Sequence, residues 1–368
     1  RIWADGIAEE LHLFDAVLAS DGKTNLKGRR KLAAIREHCN DHGYASFGYA
    51  GDSTSDLPIW EAADVAYVVS PTSSLTDRIR HFETEEVHLP GQSINTTRTI
   101  LKALRPWQWL KNSLLFVPLL VAHDPTLLSR IPDVLIAFVA MSVCASGVYV
   151  LNDLLDIAED RCHPIKRHRP FAAGTLPLAY GPALFVGLLF SGFGLAALTL
   201  PPAFAGMLGL YLALSLVYAT LLKKEAIADV ILLAGLYTLR IFAGGIAADV
   251  LVSDWLLTLA VFLFTSLAFA KRHAELTRLE SDGGFRARGR GYVVSDLQLI
   301  RNLGTTSGYI SVLVFALYAA NPRIQAQYPN PWALWLVCPL ALFWISRVWL
   351  VATRGLLNED PVVFALKD

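Results

Sequence analysis

Three carboxylates followed at once by a block of cations are the residues in this chain best placed to do chemistry. Asp153, Asp156 and Asp160 are spaced i, i+3 and i+7, so a continuing helix would set all three on one face. They follow the apolar run 134–151, which reads as a membrane helix. Acids at the end of such a helix are costly unless a cation compensates them. Oxygen-only ligands that leave room for water and phosphate oxygens suit Mg²⁺. The stretch His163-Pro164-Ile165-Lys166-Arg167-His168-Arg169-Pro170 comes next, and its cations suit a polyphosphate that the metal would bridge. The plainer reading is a charged loop that obeys membrane topology. It would serve for one acid; acids followed directly by bases favour a site.

The elements that must position these residues are membrane helices. Of 368 residues 54% are hydrophobic, and the apolar ones concentrate beyond residue 110, too apolar for an ordinary soluble domain. Lys plus Arg and Asp plus Glu balance at 32 each, which argues against nucleic acid as the main partner. Cys39, Cys144, Cys162 and Cys338 are scattered, so neither a zinc site nor a disulfide framework is indicated. Eight apolar segments stand near 110–122, 132–151, 178–199, 202–222, 228–247, 255–270, 306–320 and 332–352. The loops at 152–177, 223–227 and 271–305 carry thirteen Lys and Arg against two, Arg130 and Arg323, in the alternate loops. That bias predicts that the basic loops are cytoplasmic, with the chain multi-pass in the cell (inner or plasma) membrane and its polar N-terminal part on the same side.

Every unusual polar motif falls on that side. Lys111 and Asn112 end the run Arg105-Pro106-Trp107-Gln108-Trp109-Leu110-Lys111-Asn112, whose tryptophans suit the interfacial belt. Tyr218, Lys223, Lys224 and Asp229 surround the turn between the fourth and fifth segments. Arg240 lies inside the fifth, where a charge needs an internal partner. Lys271 and Arg272 close the sixth. Snorkelling would account for Lys223, Lys224 and Lys271 without any function.

The motifs RPxQWxKN at 105–112, NDxxDxxxD at 152–160 and HPxKxxRP at 163–170, with Ala172-Ala173-Gly174, resemble the UbiA superfamily of intramembrane prenyltransferases. Tyr218 with Lys223, Leu239-Arg240, Gly244-Gly245, Lys271 to Glu275 and the terminal Glu359-Asp360-Pro361 to Asp368 extend the resemblance over nearly all of 99–368. Within the superfamily it is most similar to the decaprenyl-phosphate 5-phosphoribosyltransferase branch. The resemblance implies an all-α bundle with nine spans, eight of them present here, a cytoplasm-facing active site and Mg²⁺ dependence. It also implies transfer of 5-phosphoribose from phosphoribosyl pyrophosphate (PRPP) to a polyprenyl phosphate, on the route to cell-envelope precursors. The second acidic motif of the superfamily is reduced to Asp229, a mark of that branch.

On this reading Asp153, Asp156 and Asp160 hold the metal, which neutralises the leaving diphosphate. Lys111, Lys166, Arg169 and Lys271 bind phosphates, and Asn112, Asn152, Arg167, Tyr218, Lys223, Asp229, Arg240 and Arg272 complete the substrate site. The alternative is an ordinary prenyltransferase, in which the same acids hold an allylic diphosphate and an aromatic or quinone-precursor acceptor attacks. Tyr149, Tyr218 and Tyr237 could then stabilise a carbocation. The clustered cations of HPxKxxRP favour the donor with an extra phosphate. A lipid-binding or transport protein is a third class, without the internal repeat or broken-helix pair a transporter would show. Any lipid-facing span could carry homo-oligomer contacts.

Residues 1–90 read as a partial α/β domain, joined by a linker at 91–98 to the membrane domain of 99–368. Strands are expected at 44–50 and 16–20. Ser20, Lys27, Asp52 and Asp56 resemble the later motifs of the haloacid-dehalogenase superfamily, in which Ser20 and Lys27 would contact phosphate and Asp52 and Asp56 would support Mg²⁺. The first motif, DxDxT, is absent, and the chain begins at Arg1, so a fragment lacking the nucleophile of the covalent step is expected.

Overall fold

The computed structural model describes residues 2–21, 24–69, 73–82, 84–89, 96–122, 125–162, 165–285 and 290–357. Gly22, residues 91–95 of the expected linker, His163-Pro164, Arg286, Arg288 and the terminal 359–368 lie outside them. The chain separates into two units, Arg1–Asn95 and Thr96–Asp368.

The first unit holds α1 (Ile2–Leu11), α2 (Arg29–His42), β1 (Gly48–Gly51), α3 (Leu57–Trp60), β2 (Val65–Val69), α4 (Ser73–Ile79) and β3 (Glu85–Leu89). The strands pair in parallel in the order β1-β2-β3, with Tyr49 opposite Ala66 and Tyr67 opposite Val87. Trp60, Ala66, Val68, Leu75 and Ile79 make a small core.

The haloacid-dehalogenase reading does not hold. Among the described residues the unit has only this three-stranded sheet, and the expected strand at 16–20 pairs with nothing. A parallel sheet needs cover on both faces, whereas Tyr67 stays exposed. The expected site residues are engaged locally or scattered. Ser20 Oγ accepts from Leu26 N at 2.9 Å, and Lys27 and Asp52 are exposed. Asp56 is buried against Lys31 Nζ (3.4 Å) and Tyr49 OH (3.1 Å).

The second unit begins with α5 (Thr96–Leu104), a 3₁₀ stretch Pro106–Phe116 and α6 (Val117–Val121). Then follow α7 (Ile131–Leu155), α8 (Ile157–Arg161), α9 (Tyr180–Thr199), α10 (Pro202–Thr220), α11 (Ala228–Ala248), α12 (Asp254–Ser281), α13 (Leu297–Ala320), α14 (Pro322–Gln325) and α15 (Val337–Thr353). Among the described residues seven helices are long and apolar enough to cross a membrane: α7, α9, α10, α11, α12, α13 and α15. The eighth expected span, at 110–122, is instead the 3₁₀ stretch and the one-turn α6. Pro118 removes a backbone donor inside the run, and the two pieces it separates are too short to span.

Two apolar clusters flank α11. Val230, Ala234 and Ile241 pack with α12, α13 and α15; Leu236, Leu239, Ala243 and Ala247 pack with α7 and α10. Small residues let the 3₁₀ stretch approach α11 closely: a Cβ on Gly244 would land on the Leu115 backbone. Asn112 and Lys111 are thereby carried into the bundle.

Candidate active site

Asp153 sits in the last full turn of α7 and is 1% exposed. Two guanidinium groups converge on its Oδ1, from Arg105 and from Arg169 (Nη1, 3.2 Å). The same Arg169 nitrogen donates to Asp160 Oδ2 at 2.6 Å. Asp156 interrupts the helix between α7 and α8, with φ −98° and ψ 10°. Its carboxylate turns to Lys223 Nζ at 2.5 Å, with Glu159 4.0 Å from the same ammonium. The acids thus divide, Asp153 and Asp160 on one guanidinium and Asp156 on a separate ammonium.

Arg105 reaches Asp153 from a left-handed backbone, φ 52° and ψ 57°, immediately before Pro106. That conformation is disfavoured for a residue with a side chain, so its surroundings must enforce it. Ser146 Oγ on α7 donates to Leu104 O at 2.8 Å and accepts the Trp109 indole N–H at 2.9 Å, tying down both flanks of Arg105. Its guanidinium also lies 5.6 Å from the Tyr149 ring centroid.

A second centre surrounds Asp229, fully buried at the start of α11. Oδ2 accepts from Arg272 Nε at 2.7 Å and has Arg290 at 3.6 Å; Oδ1 accepts from Tyr292 OH at 2.6 Å. Arg272 also bonds Glu275 at 2.7 Å and Tyr218 OH at 3.3 Å, and Arg290 donates to Tyr218 OH at 2.9 Å. Burial raises the pKa of the Tyr292 phenol and the bond to Asp229 adds to it, so it stays a neutral donor. Tyr292 OH accepts in turn from Ile227 N at 2.7 Å, where Ile227 holds φ 69°, a genuine outlier for a β-branched residue.

A third centre lies within the bundle. Arg240 donates from Nε to Asn112 Oδ1 at 2.8 Å, from Nη2 to Tyr211 OH at 3.3 Å, and from Nη1 to Leu236 O. Its Cζ stands 4.9 and 5.5 Å from the Tyr211 and Tyr237 centroids. Asn112 Nδ2 donates to Ser142 Oγ at 2.9 Å, and Lys111 Nζ stands 6.0 Å from the Tyr237 centroid. An arginine at mid-helix costs on the order of 3 kcal/mol to insert; charge-assisted hydrogen bonds of about 1.5 kcal/mol each and the two ring faces offset that.

The sequence profile of the UbiA prenyltransferase family matches residues 114–365. The chain belongs to this family. It is therefore a transferase and an integral membrane protein. An uncharacterized Sinorhizobium fredii protein is 38% identical over 368 residues, 99% of this chain and 70% of that protein. Decaprenyl-phosphate phosphoribosyltransferase of Corynebacterium glutamicum is 35% identical over 265 residues, 69% of this chain and 79% of that enzyme. The fold matches a UbiA homolog from Archaeoglobus fulgidus bound to DMAPP and Mg²⁺, with TM-score 0.56, 16% identity, and coverage of 73% of this chain and 93% of that one.

Against this UbiA fold, the residues expected from sequence fall into those three centres. Asp153, Asp160 and Arg169 meet in one, and Asp156 and Lys223 meet beside it. Tyr218, Asp229 and Arg272 meet in the second, and Asn112, Arg240 and Lys111 in the third. Asn152 is half-buried, with its carbonyl accepting from Asp156 N at 3.0 Å. Lys166 and Arg167 are exposed beside Arg169, and Lys271 is half-buried next to Arg272. Arg105, Ser146, Glu275, Arg290 and Tyr292 were not singled out from sequence. Arg105 did carry a signal, an arginine locked before a proline at the edge of an apolar run.

Proposed function

We propose that the chain transfers a 5-phosphoribosyl group from PRPP to a polyprenyl phosphate, releasing diphosphate. The observation that carries this reading is the pair of guanidiniums, Arg105 and Arg169, on one buried carboxylate, with Lys223 and Lys166 close by in the chain's fold. A donor with both a diphosphate and a 5-phosphate needs such a density of cations. The Corynebacterium glutamicum relative carries that activity in its name. The positive-inside bias supports a site that faces the cytoplasm.

Asp153 Oδ2 is buried with no hydrogen-bond partner. Among the described residues no three His, Cys, Asp or Glu side chains converge as a metal set, and Asp153 Oδ1, Asp160 Oδ2 and Asp156 Oδ2 turn to Arg105, Arg169 and Lys223. An orphaned carboxylate oxygen within an oxygen-only donor set nevertheless fits a hard divalent cation. Asp153, Asp156 and Asp160 would hold Mg²⁺, which when bound supplies Lewis-acid neutralisation of the departing diphosphate. Arg105 and Arg169 bind and orient that diphosphate. The acceptor phosphate is already anionic, so no side chain has to remove a proton from it.

The prenyltransferase alternative requires aromatic faces for a carbocation. Two of the rings that would serve, Tyr149 and Tyr237, already face Arg105 and Arg240, and a cation on a ring repels a second one.

A donor assay tests the proposal. Purified protein with Mg²⁺ receives labelled PRPP and polyprenyl phosphate in one tube, and a prenyl diphosphate with 4-hydroxybenzoate in another. Label entering the lipid phase of the first is the expected result; product only in the second overturns it.

A further inference from the structure

Arg240 is a buried cation with no acid among its described partners. It is 5% exposed in the interior of α11. Among the described residues its partners are an amide oxygen, a phenol, a backbone carbonyl and two ring faces, all neutral. The other buried guanidinium of the bundle, Arg272, is paired with Asp229 and Glu275. Among the described residues one buried arginine is thus neutralised by acids and the other is not.

The guanidinium has five N–H donors in a planar fork. Its three hydrogen bonds use one on each nitrogen, which leaves one N–H on each terminal nitrogen. These two remaining N–H groups are charged donors of the kind that bind phosphate oxygens. Asn112 and Tyr211 hold the fork in place, and a preorganised donor loses little freedom when a ligand arrives. The Lys111 ammonium lies 6.0 Å from the centroid of the same Tyr237 ring, which adds positive potential to the region.

Position separates this centre from the acid site. Arg240 is tied through Asn112 to Ser142, and Asp153 lies eleven residues further along α7, about 16 Å along the helix. A ligand phosphate at Arg240 is therefore a different group from a diphosphate at Asp153.

We infer that Arg240, fixed by Asn112 and Tyr211, is the receptor for a phosphate monoester group of a substrate inside the bundle. This deepens the transfer reading and rests on it for the identity of the ligand. Two sources share the chemistry: the 5-phosphate of the donor and the headgroup of a polyprenyl phosphate acceptor.

The test uses the full chain in detergent and reads binding without turnover, so it stands apart from the donor assay. Inorganic phosphate, and pyrophosphate with Mg²⁺, are titrated calorimetrically into wild type, Arg240→Gln, Arg240→Lys and Asn112→Asp. Arg240→Gln is expected to weaken phosphate about tenfold or more and leave pyrophosphate within about twofold; Arg240→Lys recovers part of the loss. Asn112→Asp supplies the missing acid against Arg240. It is expected to raise the melting temperature and yet weaken phosphate binding, which a purely structural arginine would not do. It also keeps the test decisive where Arg240→Gln fails to fold. Competition then separates the sources: PRPP displacing phosphate assigns the donor, and polyprenyl phosphate in mixed micelles assigns the acceptor. Phosphate affinity unchanged in Asn112→Asp and in every folded Arg240 variant, or lost equally with pyrophosphate, overturns the inference.

Discussion

Arg169 Nη1 donates to both Asp153 and Asp160, at 3.2 and 2.6 Å. One nitrogen thus joins two carboxylates that are seven residues apart and nearly wholly buried. Without it two like charges would face each other in a low-dielectric site. The bond also couples the HPxKxxRP loop to the end of α7, so the position of the acids depends on the loop that follows them.

Arg169→Gln removes that shared cation and should destabilise the protein by about 3 kcal/mol, the usual cost of breaking a buried pair. A divalent cation can replace part of the missing charge. The variant's melting temperature is therefore expected to rise more on adding Mg²⁺ than that of the wild type. Thermal unfolding in detergent with Mg²⁺ or with EDTA checks this, and an equal rise in both proteins would contradict it.

Much of this was legible in the sequence, for physical reasons that differ by element. Apolar runs around α7, α9 and α11 declare themselves because lipid demands them along the whole span. The run at 110–122 misled, since apolar content says nothing of Pro118, which keeps it from forming one long helix. The i, i+7 relation of Asp153 and Asp160 survives in their shared arginine, whereas Asp156 diverges where the helix is interrupted. Tyr292 and Arg290 reach Asp229 from more than sixty positions away in sequence, a distance no local pattern reports. In the first unit, Ala16 to Ser20 has strand-like composition, yet a strand exists only through a partner.

Tyr292→Phe deletes a phenol that joins the strained Ile227 turn to Asp229. The Ile227 N–H loses its acceptor and Asp229 Oδ1 loses a donor, a cost of about 1–3 kcal/mol for groups left unsatisfied. Hydrogen exchange should show faster opening at the start of α11 than in α7. Uniform protection in both helices would mean that the turn is held by packing alone.

Gly244→Ala tests how tightly the 3₁₀ stretch lies on α11. The added methyl meets the Leu115 backbone rather than a flexible side chain, so the whole stretch must shift. Overpacking of this kind costs about 1–3 kcal/mol, and the Asn112–Arg240 bond should lengthen with it. A matched Gly235→Ala change, on the same helix with open space around the new methyl, is expected to be neutral or slightly stabilising. Melting temperatures that fall equally in both would rule out the close approach.

Asp153→Asn separates a catalytic carboxylate from a structural one. Asn is nearly the same size and still offers Arg105 and Arg169 an acceptor, and Asp160 keeps its own bond to Arg169, so the fold should persist. What is lost is the negative charge on the buried, unpartnered Oδ2. If that oxygen binds Mg²⁺, the wild type gains stability from the ion in proportion to its occupancy, about 2.7 kcal/mol at a hundredfold excess over the dissociation constant. The variant should show almost none of that gain. Transfer activity should fall roughly a thousandfold, the scale for losing one electrostatic anchor of a transition state. A variant that melts with Mg²⁺ as the wild type does, and turns over normally, would place the metal elsewhere and leave Arg105 and Arg169 as mere neutralisers of a structural acid.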